Sequence, residues 1–152
     1  MLEIKTELIA EMIADLEESI IVGNTQHGMR VVAYVKGGTI KGPELNGEVL
    51  PGGGDWFLYR PDGEGELDCR VLIRTDEGEH IYMHYRGYLS IPPDLMMQIQ
   101  QGEDVDPSGY YFRTAPYFEA GSEKLGWLNK TQAVAVGKFE PTRITYKIYA
   151  IR

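Results

Sequence analysis

The sequence predicts a mainly β protein: an up-and-down antiparallel barrel of about eight strands with one short helix near residues 92–102, spanning residues 1–152 as a single domain. Three observations carry that expectation. Strand-like runs of alternating or β-branched residues recur along the chain and are joined mostly by short turns. Only one stretch has both a helix start and a helix stop. The segment 37–56 holds seven glycines and two prolines around two short apolar runs, as a tight strand bend requires. A chain of this length can bury roughly 70% of its unfolded surface, and closing about eight strands removes exposed edges while leaving room for one small ligand.

Taken in order, residues 1–21 carry two patterns. Leu2, Ile4, Thr6 and Leu8 alternate like a strand, while Ile9, Met12, Ile13, Leu16 and Ile20 fit a helical stripe; a long strand is the preferred reading. Gly23 to Gly28 is a polar turn, and Arg30 to Val35 is β-branched and reads as a strand. Residues 54–89 then form a three-stranded meander. Asp62-Gly63, taken as a two-residue hairpin loop, sets Asp55 opposite Arg70 and Trp56 opposite Cys69. Asp76-Glu77-Gly78, taken as a three-residue loop, sets Ile73 opposite Ile81, Val71 opposite Met83, Cys69 opposite Tyr85 and Arg70 opposite His84. Together the two turns collect Trp56, Leu58, Leu67, Cys69, Val71, Ile73, Ile81, Met83 and Tyr85 on one face. Asp55, Arg70 and His84 form a row on the other, flanked by Asp68, Arg86 and Tyr82. Ser90-Ile91-Pro92-Pro93-Asp94 opens the helix, which stops at Gly102. Strands are expected again at 110–114, 117–119, 133–139 and 144–151, with another beginning at Trp127-Leu128-Asn129.

Composition narrows the function. A net charge of −8 with no basic cluster opposes a nucleic-acid partner, and no apolar run reaches membrane-spanning length. The lone Cys69 forms no intrachain disulfide, which fits a reducing cytoplasm, and is expected as a buried thiol. His80 and His84 lie roughly 13 Å apart on a strand, too far to share an ion, so no metal or other cofactor is expected.

At Gly38-Thr39-Ile40-Lys41-Gly42-Pro43, Val49 to Trp56, Arg74-Thr75-Asp76 with Gly78, Asp106-Pro107, Tyr111 to Thr114, Phe118-Glu119 and Trp127-Leu128-Asn129, the chain resembles the small bacterial and fungal proteins catalogued as domain of unknown function 3237. That resemblance implies a lipocalin-like eight-stranded barrel and self-association. It also implies that Asp55, Trp56, Arg70, Tyr82, Arg113 and Glu119 are family-typical positions.

The polar row can be a site inside the barrel or a solvated outer wall carrying cross-strand ion pairs; the resemblance tips the choice toward the lumen. A lumenal polar face would turn Trp56, Val71, Ile73 and Met83 outward, where a homo-oligomer would have to cover them. On this reading the barrel binds an aromatic or carboxylated metabolite through Asp55, Trp56, Arg70, Tyr82, His84, Arg113, Glu119 and Asn129, with Arg70 and Arg113 holding the anion and Trp56 or Trp127 forming an aromatic wall. The alternatives are a cofactor-free lyase, cyclase or isomerase that moves a proton in the same lumen, and a self-associating structural protein without a ligand.

Overall fold

A computed structural model describes residues 2–152; Met1, the first residue of the ambiguous N-terminal stretch, lies outside the described residues. The described residues fold into ten strands and one α-helix, with two short 3₁₀ segments (Pro107–Gly109 and Gly126–Lys130): β1 (Thr6–Leu16), β2 (Ile20–Thr25), β3 (Gly28–Lys41), β4 (Gly47–Val49), β5 (Gly54–Tyr59), β6 (Gly65–Thr75), β7 (His80–Ser90), α1 (Pro93–Gln100), β8 (Tyr111–Ala120), β9 (Ala133–Glu140) and β10 (Arg143–Ile151). All pairings are antiparallel, and the circuit β1-β10-β9-β8-β7-β6-β3 closes through a β1–β3 ladder. The short β4 and β5 share one position between β3 and β6, so the wall has eight places and an up-and-down order, as expected. β8 and β9 form the sparsest seam, with registered pairs only at Arg113/Val136 and Thr114/Ala135.

Within the N-terminal stretch, expected as one long strand, Thr6–Leu16 is strand and a second strand starts at Ile20 after a break at residues 17–19; alternation decides over the helical stripe, with Ala10, Met12 and Ala14 facing the core at every second position. The glycine-rich bend allows backbones to approach closely. A Cβ at Gly53 would sit 2.3 Å from the Arg70 carbonyl oxygen, and one at Gly38 would sit 1.9 Å from that of Ile13. Expected strands 110–114 and 117–119 are one strand, since Pro116 is accommodated within β8. Residues 126–130, expected to begin a strand, form a 3₁₀ segment instead.

The meander carries the main correction. The β6–β7 register is as expected, with Ile73/Ile81, Val71/Met83, Cys69/Tyr85 and Arg70/His84 opposed. The β5–β6 register is shifted by one: Gly54 opposes Arg70, and Asp55 opposes Cys69. The cause is the turn. A two-residue loop would need Asp62 at positive φ, but no described non-glycine residue adopts one, and only Gly63 (φ 87°) takes the left-handed position. Pro61 also has no N–H to return to Glu64, so the ladder closes one step earlier, with Arg60 N–H donating to the Glu64 carbonyl at 2.8 Å. Asp62 locks this wider loop by accepting from the Glu64 N–H at 3.1 Å.

A one-residue shift exchanges the two faces of β5. Asp55, Phe57 and Tyr59 point inward, and Trp56 and Leu58 outward.

The interior is not uniform. At the end where β6 finishes and β7 begins, Ile9, Ile40, Ile73, Ile81, Leu128 and Ile148 are fully buried and close the barrel. At the other end, beside the β9–β10 turn and the start of β3, the lumen is hollow.

Candidate functional site

The hollow end encloses a cavity of about 120 Å³, close to the size that admits one benzene-sized ring. Its walls are mostly apolar, with Ala33, Val35, Phe57, Leu67, Phe112 and Ile144 among them. Its polar groups are Asp55, Tyr59, Cys69, Tyr85, Tyr146 and Ser19. No lysine, arginine or histidine lines it.

Asp55 is placed by β5 between Ala33 on β3 and Cys69 on β6. Its Oδ1 accepts the Asp68 backbone N–H at 3.1 Å. Burial nevertheless pushes its pKa up to about 6, against the opposing influence of that N–H, the Cys69 thiol and the nearby Arg30 charge. At pH 7 such a group is ionised by about ten to one, yet holds its proton far better than an ordinary aspartate.

Cys69, Tyr85 and Tyr146 continue inward from Asp55. Tyr85 opposes Cys69 across the β6–β7 ladder, and its ring meets the Tyr146 ring edge-on at 5.2 Å. Tyr146 in turn packs edge-on against Phe112 at 5.5 Å. Burial pushes the Cys69 thiol and the Tyr85 and Tyr146 phenols well above their usual ranges, so all three stay protonated and act as hydrogen-bond donors. Tyr59 is also raised, by burial and by the Asp55 charge.

Most of the expected polar row lies elsewhere. Arg70 and Glu119 are exposed on the outer wall, and Tyr82 and His84 are half-buried there. His84 Nε2 contacts Asp68 Oδ1 at 3.0 Å, Arg70 approaches the same oxygen at 3.8 Å, and the Arg70 guanidinium sits 6.0 Å from the Trp56 ring. Trp56 is outside as well, edge-on to Tyr34. Arg113 is exposed, 5.1 Å from the Tyr111 ring, with Nη1 donating to the Phe112 carbonyl. Asn129 is tied to the Ala120 backbone through both its amide groups. Trp127 packs against the core rather than the cavity. The physical reason is parity: Val71, Ile73, Ile81 and Met83 fill the interior, so their strand neighbours must face out. Of the residues expected on an apolar outer face, Val71, Ile73 and Met83 are therefore inside and only Trp56 faces out.

Of the expected site residues, only Asp55 reaches the lumen, through the shifted turn. Sequence pattern does not mark the tyrosines as site residues, because Tyr85 falls with the apolar set of the meander and Tyr146 alternates with Ile144 and Ile148 like any core residue. The available signal was a phenol or thiol recurring at inward parity on three strands.

The model for the protein of unknown function DUF3237 matches residues 4–151. This chain belongs to that family. The UPF0311 protein of Clostridium acetobutylicum is 35% identical, covering 98% of this chain and 95% of that protein. A conserved protein of unknown function from Rhodopseudomonas palustris has a crystal structure matching at TM-score 0.93 with 28% identity over 100% of both chains. A β-barrel-like protein from Acinetobacter baumannii matches at 0.86 with 33% identity, covering 99% of this chain and 98% of that one. An enzyme from Penicillium herquei matches at 0.74 and 20% identity, covering 99% and 96%, a likeness of fold alone. Among the described residues, no helix is long and apolar enough to cross a membrane, and no group of three or more potential metal ligands converges.

Proposed function

We propose that the lumen of this DUF3237 barrel binds one small, uncharged, ring-sized molecule and that Asp55 moves a proton on it. The observation that carries this reading is a lone carboxylate lining an apolar cavity, with its pKa lifted to about 6. A group so poised is a base at neutral pH and can return the proton it takes. The protonated Tyr85 and Tyr146 hydroxyls supply donors for a carbonyl or developing oxyanion, which suits a cofactor-free isomerase, lyase or cyclase. A carboxylated ligand fits poorly, because nothing cationic lines the cavity and Asp55 would repel it. The aromatic half of the earlier expectation is kept. The buried, reduced Cys69 suits a cytoplasmic setting.

A panel of single-ring phenols and cyclic ketones tests the reading by thermal shift and by NMR-detected exchange of ligand C–H for solvent deuterium. A binder that exchanges is expected, with Asp55→Asn retaining affinity and losing exchange by roughly 10²–10⁴-fold. Arg70→Ala, on the outer wall, should change neither. A panel in which no compound raises the melting temperature, or an exchange rate unaffected by Asp55→Asn, overturns it.

A further inference from the structure

The β5–β6 ladder has a gap beside Asp55. Its registered pairs are Gly54/Arg70, Asp55/Cys69, Leu58/Glu66 and Tyr59/Gly65, and Trp56/Asp68 and Phe57/Leu67 are missing between them. Arg60 N–H donates to the Glu64 carbonyl at the turn, so counting back by twos makes Trp56/Asp68 a pair that should exchange both backbone hydrogen bonds. The Asp68 N–H and the Trp56 carbonyl, which should meet there, have other partners. The N–H donates to Asp55 Oδ1 at 3.1 Å, and the carbonyl accepts from Arg30 Nη1 at 2.8 Å. On the other side of β5 the ladder to β3 runs unbroken from Met29/Tyr59 to Tyr34/Gly54, so the disturbance is confined to this one crossing. Val31 and Ala33 face the cavity, which puts Arg30 on the outer face of β3. Other outer arginines, Arg60, Arg74 and Arg143, pair with carboxylates, whereas Arg30 reaches across β5 to a backbone carbonyl.

We infer that Arg30 is a positioning residue for Asp55: by taking the Trp56 carbonyl out of the ladder, it releases the Asp68 N–H to hold the carboxylate at the cavity wall. This deepens, and rests on, the reading of Asp55 as the group that moves a proton. The two exchanges of partner are coupled. Without the guanidinium the carbonyl would stand unpaired unless the Asp68 N–H returned to it, and that return would strip Asp55 of its donor. Charge acts in the same direction. The titratable and charged groups around Asp55 are Arg30 from β3, Tyr59 on β5 itself, Asp68 and Cys69 from β6, Tyr85 from β7 and Tyr146 from β10; of these only Arg30 is cationic. The N–H and the cation both favour the ionised carboxylate, against burial and the Asp68 charge, which favour its protonation. Arg30 thereby helps to keep Asp55 a base at neutral pH while standing outside the lumen itself.

NMR titration of the ligand-free protein tests it, following the Asp55 carboxyl carbon and the Asp68 amide proton. In the wild type the amide shift should move with the Asp55 titration. Asp55→Asn should abolish that movement, and His84→Gln, which removes the other titrating group in contact with Asp68, should not. Arg30→Ala should uncouple the Asp68 amide from Asp55 and raise the Asp55 midpoint by about one pH unit, while Arg30→Lys, which keeps a charged donor, should retain most of both. A wild-type amide that ignores the Asp55 titration overturns the inference without any variant having to fold. So does an Arg30→Ala protein with both readouts unchanged, or one whose midpoint rises while the amide stays coupled, since Arg30 would then act by charge alone. No substrate enters these measurements, so a barrel that takes up no ring compound leaves them standing, and an uncoupled wild-type amide leaves ligand uptake by the lumen untouched.

Discussion

The two ends of the barrel are built from the same strands and are used differently. Within β6, Ile73 lies in the filled end at zero exposure, while Cys69 and Leu67, four and six residues earlier on the same face, line the cavity. The filled end packs branched aliphatic side chains against one another and needs no polar partner. The hollow end substitutes Asp55, Cys69 and tyrosines at equivalent inward positions and leaves volume unfilled, both of which cost stability. A fold that concentrates its cohesion at one end can tolerate an ionised carboxylate at the other, and the division of labour is open to measurement.

The largest effect belongs to the filled end. Ile73→Ala removes fully buried aliphatic volume at a site with no cavity beside it to absorb collapse, and is expected to destabilise by about 2–5 kcal/mol in urea unfolding. A loss under about 1 kcal/mol would mean that this end is as loosely packed as the other.

How much of this was legible in the residues follows from what each turn left open. Asp76-Glu77-Gly78 has a single glycine able to take the left-handed position, so the β6–β7 register was read correctly. Asp62-Gly63 permitted two loop lengths, and the choice depended on Pro61, whose missing N–H favours the wider turn. That one-residue ambiguity concealed the site, because it hid that Asp55 shares a face with Cys69. Which face looked inward was also readable in principle: a barrel of this size fills its interior, and Val71, Ile73, Ile81 and Met83 are what fills it. The polar row drew attention because Arg and His look chemical, but on an outer wall such groups mostly meet water. The cavity itself had no local signature, since it arises from what eight strands leave vacant together.

The next effect comes from Asp55. Its folded-state pKa of about 6 lies above the unfolded value near 3.9, so between those values the folded chain binds the extra proton. Folding stability contributed by this group is therefore full below about pH 4, falls as pH rises toward 6, and stays lower above that. The difference is at most about 3 kcal/mol. Asp55→Asn, which cannot ionise, should accordingly be more stable than wild type at pH 8 by up to that amount, and the advantage should vanish near pH 4. Chemical denaturation at the two pH values decides it. A variant equally destabilised at both would make the carboxylate an ordinary structural hydrogen-bond acceptor.

The finest comparison sets two alanines against each other. Ala33 lines the cavity directly across the β3–β5 ladder from Asp55, whereas Ala133 is fully buried at the filled end, next to Ala150 on β10. The same substitution should act with opposite sign. Ala33→Val adds methyl groups into empty volume and is expected to stabilise by about 0.5–1 kcal/mol while weakening uptake of any ring-sized ligand, because it narrows the space in front of the carboxylate. Ala133→Val forces the same groups into occupied volume and is expected to destabilise by about 1–3 kcal/mol. Valine suits both strands, so β propensity cancels between the two variants and the sign of the change reports packing. If both substitutions destabilise equally, the lumen near Asp55 closes in solution and offers no room for a substrate. Opposite signs with ligand uptake lost only in Ala33→Val would locate the binding volume in front of Asp55.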